Sequence, residues 1–181
     1  MLTTGQTAKD FQYKDLEGNS HSLSELKGKR ILISFLRNGA CALCNLRVHS
    51  LIKNFQEFEN LAILAIFESK AEDMIPFVGK QKPPFQLIPD PNASIYSLYE
   101  VEVSQEKVQK SMESEIVKSR IQEAAAAGFS LVPQEGSNFF RIPADFLIDE
   151  NFKIRTAFYS SLIGEHLDLN EIKDWANSLA V

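Results

Sequence analysis

The stretch Arg30-Ile-Leu-Ile-Ser-Phe-Leu-Arg37-Asn-Gly-Ala-Cys41-Ala-Leu-Cys44-Asn-Leu-Arg47 decides how the rest of the chain reads. Residues 30–36 are nearly all apolar, as in a strand buried on both faces of a parallel sheet. Arg37-Asn-Gly39 breaks the run. From Cys41 a helix is predicted to about Phe58, with Leu43, Leu46, Leu51, Phe55 and Phe58 forming a rough apolar stripe. Both cysteines then fall on the first turn of that helix, where unpaired backbone N–H groups stabilise a thiolate. The thiolate is the nucleophilic form of cysteine, and such a site lowers its pKa. A spacing of two intervening residues lets one sulfur attack a substrate while the other closes a disulfide. Arg37 and Arg47 are the nearest cationic side chains in sequence.

Working outward, Leu61-Ala-Ile-Leu-Ala-Ile-Phe67 reads as a second central strand, followed by a short helix over 71–80. Lys82-Pro-Pro84 turns the chain. A strand is predicted over 85–88 and a short helix from Asn92 or Ser94 to Tyr99. Residues 104–127 read as one long helix with a thin apolar stripe, ended by Gly128. The stretch 128–143 is irregular, and long loops of this kind are often functional. Strands over 145–148 and 154–159 surround the turn Asp149-Glu-Asn151. A final helix starts at Asp168 or Asn170 and runs to about Ala180. Ahead of all this, Asp15-Leu-Glu-Gly-Asn19 reads as a turn, and Ser22-Leu-Ser-Glu25 as a capping box. The order implies a parallel βαβ half, a helical insertion, and an antiparallel ββα half.

Composition narrows the function classes. The chain has 181 residues, which suits one domain. Hydrophobic residues make up 44% and charged residues 24%, as in ordinary globular proteins. The net charge of −5 argues against nucleic acid and anionic membranes as partners. No apolar run approaches the roughly 20 residues of a membrane span. The N-terminal residues lack the basic and apolar segments of a secretory signal, so a cytoplasmic protein is expected. Two cysteines are too few for a disulfide framework. The competing readings are an inert buried pair and a zinc site. Structural zinc wants about four ligands, usually from two close pairs. His49 or His166 would be a third ligand and no second cysteine pair exists, so no metal and no cofactor are expected.

A second signal is Arg141-Ile-Pro-Ala-Asp-Phe-Leu-Ile-Asp149. A proline just before a strand is able to hold a cis peptide. Set opposite the cysteines, Pro143 would offer backbone groups to an extended substrate.

Together these residues resemble the thioredoxin-like superfamily, and within it the peroxiredoxin-like alkyl hydroperoxide reductase/thiol-specific antioxidant (AhpC/TSA) family. The likeness begins at Gly5-Gln-Thr-Ala-Lys-Asp-Phe11 and runs through Asp15-Leu-Glu-Gly18, Leu23-Ser-Glu-Leu-Lys-Gly-Lys29 and the strand before Cys41. It resumes at Leu87-Ile-Pro-Asp-Pro91 and at Pro143-Ala-Asp-Phe-Leu-Ile-Asp149, which resembles the family's cis-proline loop. The resemblance implies an α/β, thioredoxin-like fold: one domain over 1–181, a mixed central sheet flanked by helices, an N-terminal extension and a helical insertion at about 103–128. It implies a thiol-dependent antioxidant oxidoreductase that reduces peroxides through Cys41 and Cys44. The alternatives are a protein disulfide reductase and a non-catalytic binding module that presents the helical insertion. An external dithiol such as a thioredoxin would regenerate the pair, since no third cysteine exists. A homodimer is in keeping with the family.

The chain departs from the family's pattern. Cys44 takes the peroxidatic position, Cys41 the place of a hydroxyl residue, and Arg37 the place of a proline. Thioredoxins use the first cysteine, so the nucleophile stays open between Cys41 and Cys44. Pro143 falls near the place of the family's later arginine, and Arg141 is the candidate substitute. Asp145 and Glu165 are candidate acids. His166 is a candidate proton donor, although a solvent-facing loop position is the plainer expectation. His21 and His49 read as surface residues and Trp175 as core. Phe139 and Phe140 suggest a subunit contact or a wall of the active-site mouth.

Overall fold

A computed structural model describes residues 1–178. The strand expectations hold closely. β3 (Arg30–Phe35) is buried along its whole length and lies at the centre of a five-stranded sheet. β4 (Leu61–Phe67) and β5 (Gln86–Pro89) extend the sheet in parallel on one side. β6 (Ala144–Ile148) and β7 (Ile154–Tyr159) extend it antiparallel on the other. The order β5-β4-β3-β6-β7 is the mixed sheet expected from the sequence. A small hairpin, β1 (Gln12–Lys14) with β2 (Ser20–Ser22), forms the N-terminal extension.

Alternation along β3 builds two layers, because successive strand residues point to opposite faces. Ile31, Ile33 and Phe35 join Phe146, Tyr96 and Tyr99 in one core. Leu32 joins Leu51, Ile63, Leu147 and Ile172 in the other, beneath α1 (Ala42–Asn54) and α6 (Leu169–Asn177). Ser34 is the polar exception on that second face. It stands opposite Asp145 in register, and its hydroxyl donates to the Asp145 carboxylate at 2.6 Å. Parallel neighbours lie on one side of β3 and an antiparallel neighbour on the other. The loop to α1 therefore leaves from the carboxyl end of a strand where the topology switches, the usual location of sites in open α/β sheets.

Several helix expectations are corrected. α1 ends at Asn54 and tightens into a 3-10 turn over Phe55–Glu57 instead of running on to Phe58. The short helix after β4 is only α2 (Ala71–Met74), followed by a 3-10 turn at Val78–Gln81. The next short helix is α3 (Ser94–Leu98), capped from outside by Asp90, whose carboxylate accepts from the Ser94 and Ile95 amides. The long helix over 104–127 is two helices, α4 (Gln105–Glu113) and α5 (Glu115–Ala126). Ser114 is extended between them (φ −72°, ψ 124°) and serves as C-cap of one and N-cap of the other. Serine favours cap positions over helix interiors because it competes for backbone hydrogen bonds. The break turns α5 onto α1, burying Ala124 against Ala42 and Leu46. This packing explains the thin stripe, since each half needs only a narrow apolar contact.

Ser22 and Glu25 do not form a capping box with the backbone. Their side chains meet at 3.4 Å, while the Ser24 amide donates to Asp10 instead. The final helix begins after Asp168 as expected, with the Asp168 carboxylate accepting from the Asn170 amide. Its predicted end at Ala180 lies outside the described residues. Among those residues, no helix is long and apolar enough to cross a membrane.

Candidate active site at the first turn of α1

Cys41 is the N-cap of α1 and Cys44 lies one turn later. Both are buried, Cys41 at 9% exposure and Cys44 at 3%, so Cys41 is the outer of the two. They share an apolar cluster with Leu36, Leu43, Val108, Val117 and Ile142. The first turn of α1 carries no acidic residue. The uncompensated N–H groups of a helix start therefore favour negative charge there.

The two sulfurs are driven in opposite directions. Hydrogen bonding from the facing Cys44 thiol outweighs burial and, with the Arg37 guanidinium, brings Cys41 down to about 6. The Leu43 and Cys44 amides add to this, although no side-chain cap bond of full geometry closes. Burial, and then the neighbouring Cys41 sulfur, push the Cys44 thiol well up. Cys44 also accepts the Arg37 backbone N–H at 3.3 Å, which ties it to the strand-to-helix loop.

That loop is held from several sides. The Gly39 amide donates to Ser69 Oγ at 3.0 Å, and Asn45 Nδ2 donates to Gly39 O at 2.9 Å and to Cys41 O at 3.0 Å. Gly39 itself is required by space, because an added Cβ would stand 2.9 Å from the Met74 Cα. We expect Gly39→Ala to cost about 1–3 kcal/mol through overpacking. Urea unfolding of the variant checks this, and the displaced loop should also slow alkylation of Cys41.

Arg37 is buried. Its guanidinium donates to Phe139 O and lies 5.2 Å from the Phe139 ring, while its Nε has no partner among the described residues. Through Phe139 the irregular stretch before β6 is thus tied to Arg37 in the loop that leads to the cysteines. Phe139 and Phe140 stay largely exposed and stack edge to face.

Arg141 is placed one layer further back. Its Nε donates to Glu68 at 2.6 Å, its Nη1 donates to Val101 O at 2.6 Å, and its plane covers Tyr96 at 4.7 Å. The buried Tyr96 hydroxyl reaches Leu36 O at 2.6 Å and Ile66 O at 2.9 Å, bracing the carboxyl end of β3. Sequence reasoning missed Tyr96, because nothing in the pattern of a short helix marks one tyrosine as a brace.

Pro143 is buried and, by continuing the β3–β6 register, stands across from Leu36. The peptide before it is trans, correcting the cis-proline expectation. The Ile142 amide donates to Glu102 O and Pro143 O accepts from Ser160, so the chain is already extended on both sides. The trans isomer is the ordinary state of an X–Pro bond, and a strand start tolerates the missing N–H.

His166 is not solvent-facing: its side chain is 3% exposed. Its Nδ1 lies 3.1 Å from the fully buried Asp145 carboxylate. The same carboxylate accepts from Arg47 Nη2 at 3.3 Å, from the Leu167 amide at 2.8 Å and from Ser34. Asp145 is therefore an anchor between β3, β6, α1 and the loop before α6. Glu165 caps that loop through the Ser161 and Leu162 amides. His21 is partly covered and pairs with Asp15 at 3.0 Å. Trp175 is half-buried beneath Arg30.

A curated Mycobacterium tuberculosis protein with a provisional peroxiredoxin name is 26% identical over 100 residues. The match spans 54% of this chain and 64% of that protein, so the chain covers less than two thirds of its length. The solved peroxidoxin BcpB of Mycobacterium tuberculosis superposes with a TM-score of 0.67 at 15% identity, covering 97% of this chain and 94% of that one. Peroxiredoxin 6 of Arenicola marina, solved as a cysteine-to-serine variant, superposes with a TM-score of 0.71 at 11% identity, covering 98% and 73%. At such identities the superpositions establish the thioredoxin-like fold. The AhpC/TSA family model matches residues 4–157, from the N-terminal extension through most of β7, and on that match the chain belongs to the AhpC/TSA family.

Proposed function

We propose that this chain is a thiol-dependent oxidoreductase that reduces peroxides, with Cys41 as nucleophile and Cys44 as resolving thiol. The observation that carries the reading is the opposite drive on the two sulfurs: an N-cap thiol brought to about 6 beside a buried partner kept protonated. At pH 7 a thiol of that pKa is about 90% thiolate. The Cys41 thiolate attacks one peroxide oxygen and breaks the O–O bond. The leaving alkoxide takes a proton as the alcohol, and Cys41 is left as sulfenic acid. The Cys44 thiol then condenses with it, forming the disulfide and releasing water. Two electrons from an external dithiol, such as a thioredoxin, restore both thiols.

Supporting roles follow the geometry. Arg37 holds negative charge at Cys41. Pro143 lines the floor opposite Leu36. Arg141 acts through Tyr96, and His166 through Asp145, as positioning residues. Residues 103–128 are read as a helical insertion that packs on α1 and supplies Val108 and Val117 to the cysteine cluster. A reducing compartment such as the cytoplasm would keep the pair as dithiol between turnovers.

Stopped-flow mixing of the reduced protein with hydrogen peroxide tests the reading. The oxidation rate should rise with pH through an apparent pKa of about 6 and then level off. A rate that matches free cysteine and titrates near its value of about 8.5 would remove the peroxidase reading. Protein disulfide reduction is the second reading, favoured because Cys41 stands where the family pattern has a hydroxyl residue. Fast reduction of insulin, with peroxide left untouched, would select it.

A further inference from the structure

A second cavity is separate from the cysteine pair, neither of whose residues lines it. It lies between α1, α5 and the start of α6, with a volume of about 820 Å³. That falls within the roughly 300–1,000 Å³ of small-molecule sites. Leu43, the residue just before Cys44, forms part of one wall and packs against Gly164, also in the lining.

The walls are of two kinds. Leu46, Ile116, Leu167 and Leu169 make apolar surface. Facing it are two arginines, Arg47 from α1 and Arg120 from α5. Arg47 is 8% exposed, spends one Nη2 donor on Asp145, and leaves its buried Nε–H without a partner among the described residues. A buried donor without an acceptor costs about 1–3 kcal/mol. Arg120 has no carboxylate within ion-pair distance among the described residues, and it lies near enough to Arg47 to disfavour its charge. Of the carboxylates on the lining, Glu115 pairs with Lys118 and Asp168 is engaged as the cap of α6. Glu123 is exposed.

We propose that this cavity is a binding site for an organic carboxylate with an apolar body. The carboxylate would accept from Arg47 Nη1, which makes no hydrogen bond among the described residues, and from Arg120, and its chain would lie along Leu46, Ile116 and Leu169. A small inorganic anion would leave the apolar wall uncovered. An alcohol would leave Arg120 without an anionic partner, whereas Arg47 already has Asp145. The inference does not rest on the thiol chemistry.

Calorimetric titration of the full, reduced chain tests it with octanoate, octanol and inorganic phosphate as probes. Octanoate should bind saturably, and both other probes should bind roughly tenfold more weakly or not at all. Arg120 is exposed, so Arg120→Ala should keep the unfolding transition in place while weakening octanoate roughly tenfold. Ile116→Asp, also at an exposed position, should weaken octanoate without affecting the fold. Absence of saturable octanoate binding would overturn the proposal. So would phosphate or octanol binding as tightly as octanoate, or an undiminished affinity in Arg120→Ala.

Discussion

Cys41→Ser should lower the rate of peroxide consumption by roughly three orders of magnitude or more, the scale seen when a nucleophile is removed. Cys44→Ser should keep the first turnover and lose the rest. The reasoning starts from the acidity of Cys41, which rests first on the Cys44 donor and then on Arg37. A serine at position 44 still offers an O–H donor, so the Cys41 thiolate survives and reacts once. With no resolving thiol, its sulfenic acid should accumulate, and mass spectrometry should find one added oxygen on the peptide carrying Cys41. Cys44→Ala removes the donor as well, so the alkylation profile of Cys41 should move to higher pH in that variant alone. If Cys41→Ser retains the single turnover and Cys44→Ser is inert, the nucleophile is Cys44, the position that the family's usual register implies. The two outcomes are exclusive.

The register conflict shows where sequence reading stops. The strand before the site is legible because Arg30 to Phe35 is buried on both faces, and an unbroken apolar run has few other homes. Position on the first turn of α1 is legible from Arg37-Asn-Gly39, which ends the strand and leaves Cys41 to cap a helix. Which sulfur is acidic is not legible. It depends on burial, on the facing thiol and on where one arginine folds back, and none of these has a sequence period. Arg141 illustrates the limit: its place beside the proline suggested the thiols, but Glu68 and Val101 O hold it behind Tyr96. The Ser114 break was hidden for a related reason. Residues 104–127 are dense in helix formers, and the turn onto α1 follows from packing that propensity does not encode.

Asp145→Ala should destabilise the fold by about 3–5 kcal/mol, the range for breaking a buried ion pair. That is a large share of the roughly 5–15 kcal/mol that holds a domain together. Arg47 would lose its carboxylate partner, and His166, the Leu167 amide and Ser34 would each lose an acceptor. At about 2–4 °C per kcal/mol for a chain of this size, the melting temperature should fall by roughly 6–20 °C. Asp145→Asn keeps an acceptor oxygen and should cost less. The same cluster sets a pH dependence. Burial would raise the Asp145 carboxyl, yet His166 and Arg47 hold it well below the usual carboxylate range. Its contribution is therefore present at neutral pH and persists into strong acid. Burial lowers His166, with the two nearby arginines adding to the effect against the pull of Asp145. The unfolded chain takes up a proton near 6.5, while the folded chain resists it. Below that point the unfolded state binds more protons, so stability should rise with pH from about 5 to 7, by at most ~1.4 kcal/mol per pH unit. His166→Gln should flatten that rise in urea unfolding measured across the range. A wild-type stability that does not change over the same interval would mean that His166 takes up its proton equally in both states, and that the desolvation of this cluster is compensated within the fold.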